Sequence, residues 1–180
     1  LLPILTTLVE RLGHPCTNTL MGLGALPSDH PRFLGMLGMH GTYEANMAMY
    51  ECDVMLAVGA RFDDRVTGDL KKFSPHAKII HIDIDPASIG KNVSVEVPIV
   101  GDASAALEQL LEALGQSKTQ QDEQSLSQWW EQIKSWRSRD SLGYDGSDDV
   151  IKPQFVVEKL HEVTLGDAFV TSDVGQHQMW

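Results

Sequence analysis

Three almost wholly apolar segments of strand length are the feature that most limits how this chain can fold. They read DVMLAVGA from Asp53, KIIHIDIDP from Lys78 and VEVPIVG from Val95. A strand that is apolar along its whole length is typical of a parallel sheet with both faces covered. Parallel neighbours need right-handed crossover connections, and segments with helical periodicity flank these strands. The sequence therefore predicts an α/β fold with a doubly wound parallel sheet.

Further helices and strands complete the first predicted domain, residues 1–115. Apolar side chains from Ile4 to Leu12 share one helical face, and PCTNTL then has the composition of a strand. The segment TYEANMAMYEC predicts a helix with Thr42 as its N-cap, because a threonine oxygen can accept from the free N–H groups of a first turn. The segment DASAALEQLLEALG predicts a closing helix that begins at an aspartate cap.

The remaining residues predict a linker and the start of a second α/β domain. Residues 116–150 contain a polar stretch and then QWWEQIKSWRSR, in which Trp129, Ile133 and Trp136 share one side of a helix that packs on a neighbour. In residues 151–180, IKPQFVVEKLHEVTLG predicts a helix and DAFVTSDVG a strand. The chain lacks an initiator methionine and stops just after this strand signal, so we expect a piece of a longer protein, truncated within its second domain.

Charge and cysteine content argue against several classes of function. Lysine and arginine number 14 against 25 aspartate and glutamate residues, which gives a formal net charge of −11. Such an acidic surface disfavours nucleic acids and anionic membranes as partners, and no apolar segment is long enough to cross a bilayer. Cys16 and Cys52 cannot make a disulfide framework, so we expect buried thiols in a reducing compartment.

Glycine, arginine and aspartate follow four of the predicted strands at the point where each strand ends. The segments are TLMGLG, GARFDDR, DIDP and GDAS. Because ligands bind beyond the carboxyl ends of the strands in open parallel sheets, these segments predict a binding site. The glycines at positions 22, 24, 35, 38, 41, 59 and 101 would let backbone amides approach a phosphate, although each one alone is typical of a turn. No G-x-G-x-x-G fingerprint follows a strand.

The charged residues at these strand ends have two interpretations each. Arg61 and Arg65 could hold a pyrophosphate or stack on a planar ring, or they could pair internally with the neighbouring aspartates; for Arg61 the first interpretation is favoured. Asp83 and Asp85 would face the same side of an extended strand, where a carboxylate commonly accepts from ribose hydroxyls. Two like charges repel, so we expect the chain to turn near Asp85 and one of the two carboxylates to be structural.

The glycine–methionine segment GMLGMHG predicts a loop against a flat ligand. Met36 and Met39 are assigned to this loop, where polarizable thioethers suit an aromatic ring, although core packing is the alternative. His40 lacks the second histidine or cysteine of a metal site and is interpreted as a wall against the ligand. No nucleophile elbow, Walker loop or zinc spacing is present. The residues therefore predict a site for an extended, phosphate-bearing, flat cofactor.

Six blocks of this sequence resemble consecutive blocks of one family, the large catalytic subunits of acetohydroxyacid (acetolactate) synthases, which depend on thiamine diphosphate. The resemblance covers nearly the whole chain except residues 116–149, and the blocks are TLMGLGALP, GMLGMHGTYEANMAM, AVGARFDDRVTG, HIDIDPASIGKN, VPIVGDA and TSDVGQHQMW. It implies a Rossmann-like central domain that binds FAD, which the reaction needs without net redox change. The positions that match FAD contacts are Thr19, Leu20, Met21, Leu37, Gly38, Met39, His40, Gly59, Arg61, Asp63, Arg65, Val66, Asp83, Ile84, Gly101 and Asp102.

The same resemblance implies thiamine diphosphate and Mg²⁺ as cofactors. Gln176 and His177 match residues beside the diphosphate, whereas the family's activating glutamate and metal ligands match nothing here, so no catalytic or metal residue is assigned. The implied reaction decarboxylates pyruvate and joins the remaining two-carbon unit to a second pyruvate or to 2-oxobutyrate, in valine, leucine and isoleucine synthesis. The implied partners are further large subunits and a small regulatory subunit, in the bacterial cytoplasm, with a plastid or mitochondrial origin left open.

Three other interpretations stay open at the level of sequence. A flavin-bearing carboligase for glyoxylate or an oxidase of the pyruvate oxidase type would use the same scaffold. A nucleotide-binding module without catalysis would also place glycine, arginine and aspartate at strand ends.

Overall fold

The computed structural model describes residues 2–117, 122–175 and 177, and these ranges contain six α-helices and five β-strands. A 3-10 turn, Leu20–Gly22, follows the first strand. In chain order the elements are α1 (Leu2–Leu12), β1 (Cys16–Asn18), β2 (Phe33–Met36), α2 (Tyr43–Glu51), β3 (Val54–Val58), α3 (Asp64–Thr67), β4 (Lys78–Asp83), β5 (Val97–Val100), α4 (Ala103–Gln116), α5 (Glu123–Arg137) and α6 (Pro153–Thr164).

All strand pairs in the described residues are parallel, which confirms the predicted α/β class. Strands β3, β4 and β5 form one sheet in that order, and β1 pairs with β2 in a second, two-stranded sheet. The register pairs Val58 with Ile82 and Asp83 with Val100, so all three strands of the larger sheet end at the same edge. This common edge is where the sequence predicts a ligand.

Strand β2 was not predicted, and the assignment of Met36 to a loop was wrong. Met36 is the last residue of β2 and pairs with Asn18 of β1. The strand is only four residues long and contains Gly35 at a φ of 91°, a conformation that favours glycine. Its formation depends on pairing with β1, which lies more than a dozen residues earlier in the sequence.

Helices α1 and α4 cover one face of the larger sheet. Leu8, Ile82 and Leu107 form the centre of this packing and are almost completely buried. Burying a leucine side chain stabilises a fold by roughly 1.5–3 kcal/mol, so this cluster fixes the helices on the sheet. Loop residues, among them Phe62 and Phe73, cover the opposite face of the sheet around Ala57 and Ile79.

Helix α5 packs on α2, as predicted from its apolar side. Ile133 and Trp136 are buried with Leu34 and Ala45, and the rings of Trp129 and Trp136 meet edge to face at 5.5 Å. The predicted caps also form. The Thr42 hydroxyl accepts from Ala45 N at 3.2 Å and donates to Leu34 O at 2.5 Å, and the Asp102 carboxylate accepts from Ala105 N at 3.0 Å at the start of α4.

Contacts divide the chain into two units, Leu1–Ser141 and Leu142–Trp180, so that α5 belongs to the first. The second contains the predicted helix α6, where Tyr144 Oη donates to Glu158 at 2.5 Å.

The segment DAFVTSDVG, predicted as a strand, is not one: Phe169 is fully exposed, and no described strand pairs with the segment. A strand needs a neighbour for its backbone groups. The predicted boundaries of the cofactor-binding domains, at residues 115 and 150, stay predictions.

Two smaller expectations can be compared with the structure. Cys16 and Cys52 are both free thiols, but they are half-buried rather than fully buried. Within the described ranges, no helix combines the length and the apolar character that crossing a membrane requires.

Candidate functional site

The ends of the three parallel strands are held side by side by backbone hydrogen bonds. Gly59, just after β3, donates from its N–H to Ile82 O at 2.8 Å, and Gly101, just after β5, donates to Asp83 O at 3.0 Å. Three segments that are distant in sequence are therefore in contact at one edge of the sheet. The predicted residues Gly59, Asp83 and Gly101 are brought together there.

Gly59 and Gly101 differ in why glycine is present. Gly59 has a φ of 62°, in the left-handed region where side chains are strained. Gly101 is outside that region, and a Cβ atom added to it would meet nothing within 4 Å. The fold itself therefore gives no reason for glycine at position 101. Close approach of a ligand to the backbone would supply one.

The turn after β4 separates the two aspartates as expected. Asp83 Oδ1 accepts from Asp85 N at 2.8 Å, and Asp85 Oδ1 accepts from Ala87 N at 2.9 Å, so Asp85 has the structural role. Ile84 between them is a large apolar residue that is 72% exposed. At the neighbouring strand end, the Asp102 carboxylate caps α4 by accepting from Ala105 N.

The loop after β3 contains an internal ion pair. Arg61 Nε donates to Asp63 Oδ2 at 3.1 Å, and its Nη2 contacts the same oxygen. This hydrogen bond from Arg61 holds the pKa of Asp63 below its ordinary value, and the same bond raises the pKa of Arg61. The other oxygen of Asp63 accepts from Arg65 N at 3.1 Å and caps α3.

The ion pair with Asp63 uses only some of the N–H donors of Arg61. Its side chain is 77% exposed at the strand-end edge. A guanidinium carries five N–H donors in a planar fork, so one carboxylate oxygen leaves donors for an anionic ligand. The two sequence interpretations of Arg61 are therefore compatible, and Asp63 acts as the residue that fixes its arginine.

A second group of predicted residues, the loop from Leu37 to Gly41, is attached to α3. Met39 N donates to Arg65 O at 2.8 Å, and the Met39 sulfur lies 3.9 Å from Arg65 Nη1. A Cβ atom on Gly38 would lie 2.6 Å from Arg65 O and 3.2 Å from the Cα of Val66, so this glycine is required by packing. Met39 and Arg65 consequently share one surface.

Asn46 fixes the same loop and was missed by the sequence analysis. Its Oδ1 accepts from Gly38 N at 2.8 Å and its Nδ2 donates to Gly38 O at 2.9 Å. Asparagine is a poor helix former that prefers turns and caps. Its presence inside α2 was the signal that could have identified it.

Apolar side chains are exposed on the loops after β1, β2 and β4. Leu37 N donates to Asn18 O at 3.2 Å, which brings the loop after β2 beside the turn after β1. Thr19 caps that turn by accepting from Gly22 N at 3.1 Å, and Leu20 within it is exposed. The exposed fractions are 93% for Met21 and 62% for Met39, and His40 is also exposed. Exposed apolar groups beside arginines suit a ligand that is flat at one end and anionic elsewhere.

The predicted diphosphate residues lie in the second unit. His177 is exposed, and its Nε2 lies 2.8 Å from Asp173 O, whereas Gln176 is outside the described residues. Across residues 2–117, 122–175 and 177, no group of three or more histidine, cysteine, aspartate or glutamate side chains is placed to hold a metal ion.

Comparison with known proteins identifies relatives along the whole chain. The family model described as "Thiamine pyrophosphate enzyme, central domain" matches residues 3–110. The chain is 56% identical over 172 residues to the acetolactate synthase isozyme 3 large subunit of Escherichia coli K12, and 54% identical over 173 residues to the acetolactate synthase large subunit of Haemophilus influenzae. It is 47% identical over 186 residues to a probable acetolactate synthase large subunit of Methanococcus aeolicus.

These alignments cover most of this chain but a minor part of each relative. They include 96%, 95% and 98% of this chain, and 30%, 30% and 31% of the three relatives in the same order. The chain thus spans about a third of the length of the curated relatives it matches.

Proposed function

Because this chain belongs to the thiamine pyrophosphate enzyme family, whose central domain it contains, we propose that it is part of the catalytic large subunit of an acetolactate synthase. The support is the identity of 54–56% to two proteins named as acetolactate synthase large subunits and of 47% to one named as a probable large subunit. The proposed reaction condenses two pyruvates to 2-acetolactate, or pyruvate with 2-oxobutyrate, with release of CO₂. It would serve valine, leucine and isoleucine biosynthesis.

The observation that carries the cofactor part of this proposal is the open space in front of Gly101. Gly101 lies at the common edge where the parallel strands end, and because neither strain nor internal packing requires a glycine there, its backbone is open to a ligand. The described residues fit FAD: Arg61 offers exposed N–H donors to a phosphate, and the Asp83 carboxylate could accept from a ribose hydroxyl. Met21, Met39 and Ile84 would lie against apolar parts of the ligand.

Local charge matters because the chain as a whole repels an anion. The net charge is −11, but charges farther away than a Debye length of about 8 Å are largely screened at physiological salt. The GARFDDR loop carries two arginines and two aspartates, so its formal charges cancel and it offers no net positive field. We propose that Arg61 and Arg65 instead hold a dinucleotide through directed, charge-assisted N–H donors.

The chemistry itself would come from thiamine diphosphate, which supplies the electron sink for decarboxylation. The part of this chain that would lie beside it is Gln176 and His177. We propose that its Mg²⁺ ligands and the activating glutamate come from sequence that this chain does not include. A homo-oligomer of large subunits, a small regulatory subunit and a cytoplasmic location complete the proposal.

The test uses the full-length protein. It should purify with bound flavin and, with thiamine diphosphate and Mg²⁺, form acetolactate from pyruvate without consuming oxygen or quinone. Stoichiometric oxygen or quinone consumption would instead indicate an oxidase, and turnover of glyoxylate in place of pyruvate would indicate the related carboligase. Flavin binding with no turnover of any of these substrates would indicate a non-catalytic module.

A further inference from the structure

Within the described residues, His81 is one of three residues, with Thr17 and Asn18, that have buried side-chain polar atoms without a hydrogen-bond partner. It lies in the middle of β4, and its exposed fraction is 0%. Neither ring nitrogen has a hydrogen-bond partner among the residues that the structure describes. A buried polar group without a partner destabilises the folded state, so apolar residues are favoured at such positions. The histidine needs a reason beyond filling space.

The surroundings of His81 connect it with two of the predicted strand-end segments. Its ring meets the ring of Phe62 edge to face at 5.1 Å, and Phe62 is the residue between Arg61 and Asp63. Phe62 is itself buried, with a φ of 54°, and its carbonyl accepts from Asn92 Nδ2 at 2.7 Å. The imidazole of His81 therefore packs against the GARFDDR loop that follows β3.

His81 also faces the carboxylate of Asp83. Residues two apart in a strand project to the same face, and His81 Nε2 lies 3.9 Å from Asp83 Oδ2. The Asp83 side chain is only 13% exposed, and its other oxygen already accepts from Asp85 N at 2.8 Å. A shift of about 1 Å would bring the imidazole nitrogen and Oδ2 to hydrogen-bond distance.

We propose that His81 is a positioning residue for the cofactor: it donates to Asp83 Oδ2 and so directs the carboxylate toward a ribose hydroxyl of the dinucleotide. The inference rests on the proposed function, because it takes Asp83 as the residue that accepts from the ligand. With Asp85 N on one oxygen and His81 on the other, the carboxylate has one orientation. A carboxylate held in this way loses less conformational freedom when the ligand binds.

A packing role for His81 makes the opposite prediction. If the ring only fills space beside Phe62, phenylalanine should replace it well, because the apolar ring keeps the edge-to-face contact and removes two unpartnered nitrogens. Glutamine, which keeps an N–H donor of similar reach, should then be the worse substitute. The order of the two variants distinguishes the roles.

The experiment measures the dissociation constant of FAD for the full-length protein by flavin fluorescence. We expect His81→Phe to weaken binding about tenfold and His81→Gln to stay within about threefold of the unsubstituted protein. In an Asp83→Ala background, which removes the acceptor, the two variants should bind FAD equally. His76→Phe is the matched control, because His76 is exposed before β4 and its loss should leave the affinity unchanged.

Three results would overturn the inference. His81→Phe could bind FAD as tightly as the unsubstituted protein, or its effect could persist undiminished with Asp83→Ala. If His81→Phe does not fold, a crystal structure of the FAD complex decides: a nitrogen of His81 within about 3.2 Å of Asp83 supports the proposal, and a wider separation refutes it. An unsubstituted protein that binds no flavin would refute the proposed cofactor itself, which distinguishes that failure from failure of the positioning role.

Discussion

Replacing Gly101 by alanine separates a ligand requirement from a folding requirement. The added methyl group would meet no atom within 4 Å, and the backbone there is not in the left-handed region. Gly→Ala at a compatible position stabilises a protein by about 0.4–1 kcal/mol, so the free energy of unfolding should be unchanged or slightly higher. FAD bound against this backbone would instead meet the methyl group. Crowding of this kind costs roughly 1–3 kcal/mol, which corresponds to about 5- to 150-fold weaker flavin binding.

Two controls accompany this variant in the full-length protein. Gly146→Ala adds the same methyl group into open space in the second unit, so flavin affinity should not change and the free energy of unfolding should again be unchanged or slightly higher. Gly38→Ala places its Cβ 2.6 Å from Arg65 O and should reduce stability. Chemical denaturation and flavin titration measure the two quantities separately. If Gly101→Ala bound FAD as tightly as the unsubstituted protein, the argument from open space would be refuted.

The remaining predictions concern charge, capping and thiol chemistry. Arg61→Ala should weaken FAD binding about 10- to 150-fold by removing a charge-assisted contact, whereas an unchanged flavin titration would show that Arg61 only pairs with Asp63. Thr42→Val should lower the free energy of unfolding by about 1–3 kcal/mol, because two backbone groups lose their partner; an unchanged denaturation midpoint would contradict this. Burial raises the pKa of both Cys16 and Cys52 to about 11, so alkylation of the folded protein should be slow at pH 8 and accelerate as the pH rises toward 11, whereas rapid labelling at pH 8 would refute it.

The predictable part of the fold was encoded locally. Strands β3, β4 and β5 are recognisable because their apolar runs are continuous. The caps Thr42 and Asp102 are recognisable because each side-chain oxygen accepts from a backbone N–H only three residues later. Strand β2 could not be predicted, because Gly35 interrupts its apolar pattern and its partner is distant in sequence. The composition of DAFVTSDVG favours a strand, yet no described strand pairs with it.

The candidate site divides in the same way. The residue types at the strand ends follow from the sequence, because parallel strands place their carboxyl ends at one edge. The roles of individual residues depend on tertiary contacts that cannot be read from the spacing of residues in the sequence. Asp63 accepts a hydrogen bond from Arg61 of its own loop, and Gly38 leaves the space that the carbonyl of Arg65 needs. His81 is buried against the ring of Phe62.

A crystal structure of the full-length protein with FAD bound tests the central claim most directly. The account predicts that the dinucleotide lies across the loops that follow the parallel strands, with its backbone contact at Gly101 and an anionic group within hydrogen-bond distance of Arg61. It would be contradicted by FAD bound elsewhere on the protein, or by strand-end loops whose own side chains fill that edge of the sheet.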